Sequence, residues 1–361
     1  NADDPSPGQT TVRPKSGGGL YLVGSSQAQD TRPVIRNCKF IGNHARFNGG
    51  GMFVRTVLGA GATPTLINCE FLENSATRGG GLYKEGGSVQ NEMIINLSRF
   101  INNKSTYGGG ILINNNNGSM NMSLLHCDFI GNYSITEGGA IHYETTNDGS
   151  NIEIIGCIFK ENISITEGTA IICYFNSFST FYIDSCIFSI NISNGEKTIA
   201  FFEDGLIEIQ NSIFVADTIS TYKNMSVLSS WVSSFRVINS VFSNIKSDRG
   251  GVAFIAGNNT VHEFVNCVFY HNEDSLGVIY YTHNSSFLSI INSLFYENSL
   301  NVANKLFFFA GNQLTISNCL ADFPDCSNYA YGPVTCGPGM LYLTDPLFLD
   351  TAAADFRLHP C

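Results

Sequence analysis

The chain has 361 residues, 43% of them hydrophobic and only 14% charged, with a net charge of −11. That composition supplies a large core and excludes a disordered polymer. The acidic balance excludes nucleic acid and anionic membrane surfaces as partners, since both require basic patches.

No apolar run approaches the roughly 18 residues of a membrane helix, so membrane insertion is not expected. The sequence begins at Asn1 without a Met or a leader-like segment, which reads as a processed or partial chain. Eleven Cys and ten Asn-x-Ser/Thr sequons point to a secreted or cell-surface protein.

After an extension over residues 1–16, a glycine cluster leads into “GGGLYL” from Gly17. From there one phrase recurs. A small residue stands at Cys38, Cys69, Ser98, Cys127, Cys157, Cys186, Ser212, Ser240, Cys267, Ser293 and Cys319, at intervals of 26 to 31 residues. Two places on comes Phe in every copy except the last, where Ala321 replaces it. Three places before stands an aliphatic residue or Phe, from Ile35 through Leu66 and Leu124 to Phe264 and Ile316.

An odd separation puts that aliphatic residue and the Phe on opposite faces of a continuous strand. Both can face inward only if one residue between them bends the chain. The position before the Cys/Ser supplies it: Asn37, Asn68, Asn211, Asn239, Asn266, Asn292 and Asn318, with Leu97, His126, Gly156 and Ser185 in the other copies. Asn and Gly tolerate the left-handed conformation of such a bend, and stacked Asn amides are expected to hydrogen-bond from copy to copy. A turn then leads to a third strand after the next glycine cluster, as in “GGGMFV”, “GGGILI” and “GGAIHY”.

A period near 30 with three short strands describes one coil of a parallel β-helix, each coil burying its face against its neighbours. No window carries apolar residues at helical spacing, which argues against leucine-rich or ankyrin repeats. The expected fold is all-β: a single right-handed parallel β-helix of about twelve coils, with the repeats over 17–320 and a loop-rich, disulfide-bearing cap over 321–361. The cap end holds Cys319, Cys326, Cys336 and Cys361, for which three pairings exist. A Cys326–Cys336 bridge across “SNYAYGPVT” is the expected one. The repeat cysteines read as small packing residues, because Ser replaces them freely and a line of thiols does not surround a zinc ion.

Two tetrapeptides carry a resemblance. Gly-Gly-Ala-Ile is intact at Gly138–Ile141, and Phe-x-x-Asn recurs at Phe40–Asn43, Phe71–Asn74, Phe100–Asn103, Phe129–Asn132, Phe159–Asn162, Phe188–Asn191, Phe269–Asn272 and Phe295–Asn298. Over residues 17–320 the chain resembles the polymorphic outer membrane protein repeat. The resemblance implies a surface adhesin displayed on a β-helical stalk. The tail “DPLFLDTAAADFRLHPC” resembles the closing segment of many secreted β-helix proteins.

Candidate chemistry is sparse. The outward position between Cys/Ser and Phe reads Lys39, Glu70, Arg99 and Asp128 in the first four coils. Glu70 and Asp128, two coils apart, lie near the roughly 6.5–9.5 Å separation of inverting glycosidases, which makes a polysaccharide lyase or hydrolase the alternative function. Arg99 between them would depress both carboxylates, whereas a general acid needs one raised, so a salt-bridge ladder is the favoured reading. No phosphate loop or nucleophile elbow is visible, and no cofactor or metal is expected.

Of the sequons, Asn103, Asn132, Asn162 and Asn191 coincide with the Asn of Phe-x-x-Asn and read as packing residues. Asn117, Asn121, Asn224, Asn258 and Asn284 lie in polar segments and Asn96 on an outward strand position, making these six the expected glycan sites. After Asp128 the outward position turns apolar: Ile158, Ile187, Ile213, Val241, Val268, Leu294 and Leu320. Strand propensity favours such residues, but a stripe this long exceeds what a soluble monomer commonly exposes. The expectation is a structural or adhesive protein that self-associates or meets another surface protein through this face, with a glycan as a further potential ligand.

Overall fold

Three long parallel sheets wind around one apolar core in the computed structural model, each with twelve strands. The described residues are 16–24, 31–56, 62–86, 91–115, 120–145, 149–174, 179–193, 197–202, 205–215, 226–230, 233–247, 251–255, 260–274, 277–281, 286–299, 306–309, 313–326, 330–350 and 355–358. Among them there is no helix, hence none long and apolar enough to cross a membrane.

One coil illustrates the path. The aliphatic strand Thr65–Ile67 bends at Asn68 into the phenylalanine strand Glu70–Leu72, and the chain then turns through Gly79–Gly81 into the glycine-led strand Leu82–Glu85. Each strand pairs in parallel with its equivalents in the coils before and after, Phe71 for example with Phe40 and Phe100. The last strands of the three sheets, Ala330–Tyr331, Val334–Cys336 and Leu341–Tyr342, come from the segment expected to be the cap. The expected bridge is formed between Cys326 and Cys336.

The bend before Cys/Ser is left-handed in all eleven copies, from Asn37 at φ 54° to Asn318 at φ 53°, Leu97 and His126 included. Its Asn side chains stack as expected: Asn68 donates to Asn37 at 2.7 Å, Asn266 to Asn239 at 3.0 Å and Asn292 to Asn266 at 2.6 Å. A second left-handed bend occupies the third place of Phe-x-x-Asn, at Gly42, Glu73, Asn102, Gly131, Glu161, Ile190, His271 and Glu297. It returns the following Asn to the interior. Glycine is required at the turn into the third strand: Gly79 has φ 62°, and a Cβ on Gly80 would meet Gly109 O at 2.5 Å and Lys104 O at 2.6 Å.

Inside, like residues stack on like. The Phe rings from Phe40 to Phe295 lie parallel with centroids 4.5 to 5.5 Å apart. The Cys/Ser column is more than filler. Ser98 Oγ accepts the Cys69 N–H at 3.0 Å and donates to Asn96 O at 2.9 Å, and Cys157 Sγ takes the Cys127 N–H at 3.3 Å. The position therefore calls for a small side chain that both donates and accepts, which is why Ser and Cys interchange while Ala does not appear. Cys319 belongs to this column, its Sγ accepting the Ser293 N–H at 3.3 Å.

Eight described cysteines are free, and all but Cys38 are buried. The neighbouring Cys127 and Cys186 thiols, together with burial, push Cys157 upward in pKa, and the thiolate is the reactive form. Because burial bars access to Cys127, Cys157 and Cys186, a small thiol reagent should modify Cys38 in the native protein and reach those three only on unfolding. Peptide mass spectrometry finding these three labelled at native pace would contradict the column's burial.

Candidate functional site

The Glu70–Arg99–Asp128 column exists as the register requires, with Arg99 paired to Glu70 on one side and Asp128 on the other. Its charges form separate ion pairs: Lys39 Nζ lies 3.6 Å from Glu70 Oε2, and Arg99 Nε lies 3.3 Å from Asp128 Oδ2. Each carboxylate thus has its own cation in contact with solvent. A shallow groove one corner further on is lined by Glu73, Asn74, Ser75, Asn102, Lys104 and Gly131, and by none of the three. Among the described residues no group of three or more His, Cys, Asp or Glu could hold a metal ion.

The Phe-x-x-Asn amides are spoken for. Asn132 Oδ1 accepts both the N–H and the Nδ2 of Asn103, at 3.1 and 3.0 Å. Its own Nδ2 donates to Phe100 O at 2.8 Å and to Asn162 Oδ1 at 3.0 Å. Asn74, Asn103 and Asn162 repeat the pattern, and all of these, with Asn191, are fully buried. In the folded rod these four sequons are structural. Among the expected glycan sites, Asn96 and Asn121 are half-buried on strands, and Asn121 Oδ1 accepts the Asn151 N–H at 3.1 Å. Asn117, Asn224, Asn258 and Asn284 lie outside the described residues.

On the apolar outer column, Ile158 and Ile187 are exposed at 36% and 39%, while Ile213, Val241, Val268, Leu294 and Leu320 are half-buried. The chain's own tail packs on residues beside this column. Phe348, on the antiparallel hairpin of Phe348–Asp350 with Asp355–Leu358, sets its ring edge-on to Tyr270 at 5.8 Å and Tyr296 at 6.2 Å. Those tyrosines flank Val268 and Leu294 in the same strands. The tail thus packs beside the Val268 and Leu294 stretch of the column, while Ile158 and Ile187 are exposed.

A second constellation escaped sequence reasoning. The outer face of the glycine-led sheet carries a floor of Phe53, Tyr83, Leu112, His142 and Ile172, all buried although they point away from the core. One rim comes from the turn before the glycines, where Arg78, Tyr107, Glu137 and Glu167 stand in register. The other comes from the same strands two places on: Arg55, Glu85, Asn114, Glu144 and Tyr174.

Contacts tie the rims to the floor. Tyr107 packs against the cluster formed by Phe53, Tyr83 and Leu112 and meets the His142 ring edge-on at 6.1 Å. Arg55 Nε pairs with Glu85 Oε2 at 2.9 Å, and Asn114 Nδ2 donates to Glu144 Oε2 at 2.7 Å. Burial pushes the Tyr83 hydroxyl up to about 12, with Glu85 adding to the rise and Arg78 opposing it. Burial holds His142 down to about 4, so this imidazole is neutral at pH 7 even though its Nδ1 lies 3.5 Å from Glu137 Oε2. Burial, then the carboxylates of Glu137 and Glu167, push the Tyr174 hydroxyl upward, and Tyr174 hydrogen-bonds to Glu137. These residues come from turns and strands about 30 residues apart and form no linear motif; the signal in the sequence was the recurrence of Glu before the glycines at Glu137 and Glu167. No protein-family model and no curated protein matches the chain.

Proposed function

We propose that the protein is a secreted or cell-surface rod with a structural or adhesive role, which associates with further copies of itself through the outer face of the phenylalanine sheet. The observation that carries this is the exposed end of the apolar column. Ile158 and Ile187 are exposed in line with a stretch whose flanking Tyr270 and Tyr296 meet the protein's own Phe348. The same surface chemistry continues past the point where the tail packs, and a second copy offers an apolar surface of matching character. The Phe-x-x-Asn and Gly-Gly-Ala-Ile resemblance to surface adhesins supports the role, and the Cys326–Cys336 bridge fits an oxidising compartment. Glycans on the polar segments around Asn117, Asn224, Asn258 and Asn284 belong to the same reading.

Sedimentation velocity over a range of concentrations tests it. The wild type should show reversible growth in mass, and Ile158→Lys with Ile187→Lys should return it to monomer with an unchanged melting temperature, because both side chains point away from the core. A wild type that stays monomeric throughout would overturn the assembly.

A further inference from the structure

The outer strip of the glycine-led sheet changes sign along the rod. At its N-terminal end stand Arg55, which is paired to Glu85, and Arg78. Three carboxylates neighbour Tyr174 further along: Glu137 hydrogen-bonds to it, Glu144 is its register partner, and Glu167 stands in register with Glu137 on the opposite rim. Glu144 takes a neutral amide from Asn114, and neither Glu144 nor Glu167 has an ion pair among the described residues. The imidazole beneath them does not compensate. His142 is 4% exposed, neither of its ring nitrogens has a hydrogen-bond partner, and it is neutral at pH 7. Like charges gathered around a partly desolvated hydroxyl repel one another, and a cation from outside would relieve the repulsion.

The shape limits what that cation can be attached to. Tyr107 and Tyr174, both half-buried, stand on opposite rims one coil to either side of His142, each ring meeting the imidazole, with Tyr174 among the carboxylates. Successive coils are spaced about 4.8 Å apart along the axis, close to the length of one pyranose residue in an extended chain. Aromatic rings offer flat apolar faces to the C–H faces of sugars and also attract cations. Half-buried carboxylates accept hydrogen bonds from hydroxyl and ammonium groups.

We propose that this strip binds a linear oligosaccharide bearing protonated amino groups, with one ammonium held between Glu144 and Glu167 and sugar faces resting on Tyr107 and Tyr174. The site deepens the surface-adhesion reading and rests on it for its setting, but it lies on a different sheet from the assembly face.

Isothermal titration calorimetry at low ionic strength, using a glucosamine tetramer as the probe, tests the proposal. The wild type should bind it saturably, and Glu144→Gln and Glu167→Gln should each weaken binding about tenfold while leaving the melting temperature unchanged. The fully N-acetylated tetramer, which lacks the charge, should bind at least about tenfold more weakly. A tetralysine peptide should not saturate the site. Absence of saturable binding of the amino tetramer, indifference to both substitutions, equal affinity for the N-acetylated tetramer, or saturable binding of tetralysine would each overturn the proposal. The Ile158→Lys, Ile187→Lys protein should bind the tetramer like the wild type, so failure here and failure of the assembly are read separately.

Discussion

Asn132→Ala should destabilise the rod about as much as Phe129→Ala, although it removes a far smaller side chain. The phenylalanine is fully buried between Phe100 and Phe159, with ring centroids 5.0 Å away on each side. Its truncation leaves a cavity in a stack that cannot collapse along the axis, at a cost of about 3–5 kcal/mol. The asparagine fills little volume but ends four hydrogen bonds. Truncating it strips the buried Asn103 N–H of its acceptor, removes one of the Asn103 amide's acceptors and takes the amide donor from Phe100 O. At about 1–3 kcal/mol for each buried group left unsatisfied, the sum falls in the same range. Thermal denaturation of both variants, with hydrogen exchange at the Asn103 amide, is the measurement. An Asn132→Ala protein that melts like the wild type, with Asn103 still protected, would mean that the ladder contributes nothing.

This equivalence bears on what the sequence could reveal. The Phe column, the Asn bend and the glycine turn were legible because each places an unusual demand on residue type in every copy, and about 30 residues later the demand returns. The second left-handed bend was not legible. Its occupants include Glu73, Glu161, Ile190 and Glu297, which no turn preference would choose. The bend is imposed there by the Phe and Asn on either side, whose stacking and amide bonds outweigh the local strain. Tertiary order overrides local propensity at that corner, and only the fixed Phe-to-Asn spacing betrays it.

The functional surfaces were read unevenly for a related reason. The salt-bridge column and the apolar column occupy one repeat position each, so alignment of the copies displays them directly. The tail's return over Tyr270 and Tyr296 depends on a segment outside the repeat, and no periodicity could announce it. The acidic, tyrosine-flanked strip combines two repeat positions on opposite sides of the glycine turn, brought together only when the turn closes over the third strand. Alternation along “IHYET” shows His142 and Glu144 pointing away from the core, but not that the preceding turn would bury the histidine beneath Tyr107 and Glu137.

Lys84→Met should stabilise the protein at neutral pH, and the gain should vanish as the pH is raised. Lys84 occupies an inward position between Val54 and Ile113 and is fully buried. Its Nζ donates to Thr56 Oγ1 at 2.7 Å and to Glu85 O at 2.9 Å, two acceptors that a neutral amine satisfies. Burial lowers its pKa to about 7, with Glu85 opposing the shift. In the unfolded chain the same amine titrates near 10.4. Between these values the unfolded state holds a proton that the folded state lacks, so this group's contribution makes stability rise with pH, by about 1.4 kcal/mol per unit. Below about pH 7 both states are protonated, and the penalty is constant at its largest. Methionine fills similar volume without the charge, and Thr56 Oγ1 keeps the Ala62 N–H at 3.3 Å. The variant should therefore be more stable than the wild type at pH 7 by about 2–4 kcal/mol, after allowing for the lost donors. The difference should shrink steadily towards pH 10. Other groups slope the other way: burial raises Cys267 to about 12 and Cys319 to about 11, so each loses stability as its unfolded thiol ionises. Those contributions are common to both proteins and cancel in the comparison. Urea denaturation of the pair at pH 6, 7, 8 and 9 reads the difference directly, and two parallel stability curves would show that Lys84 remains charged in the core.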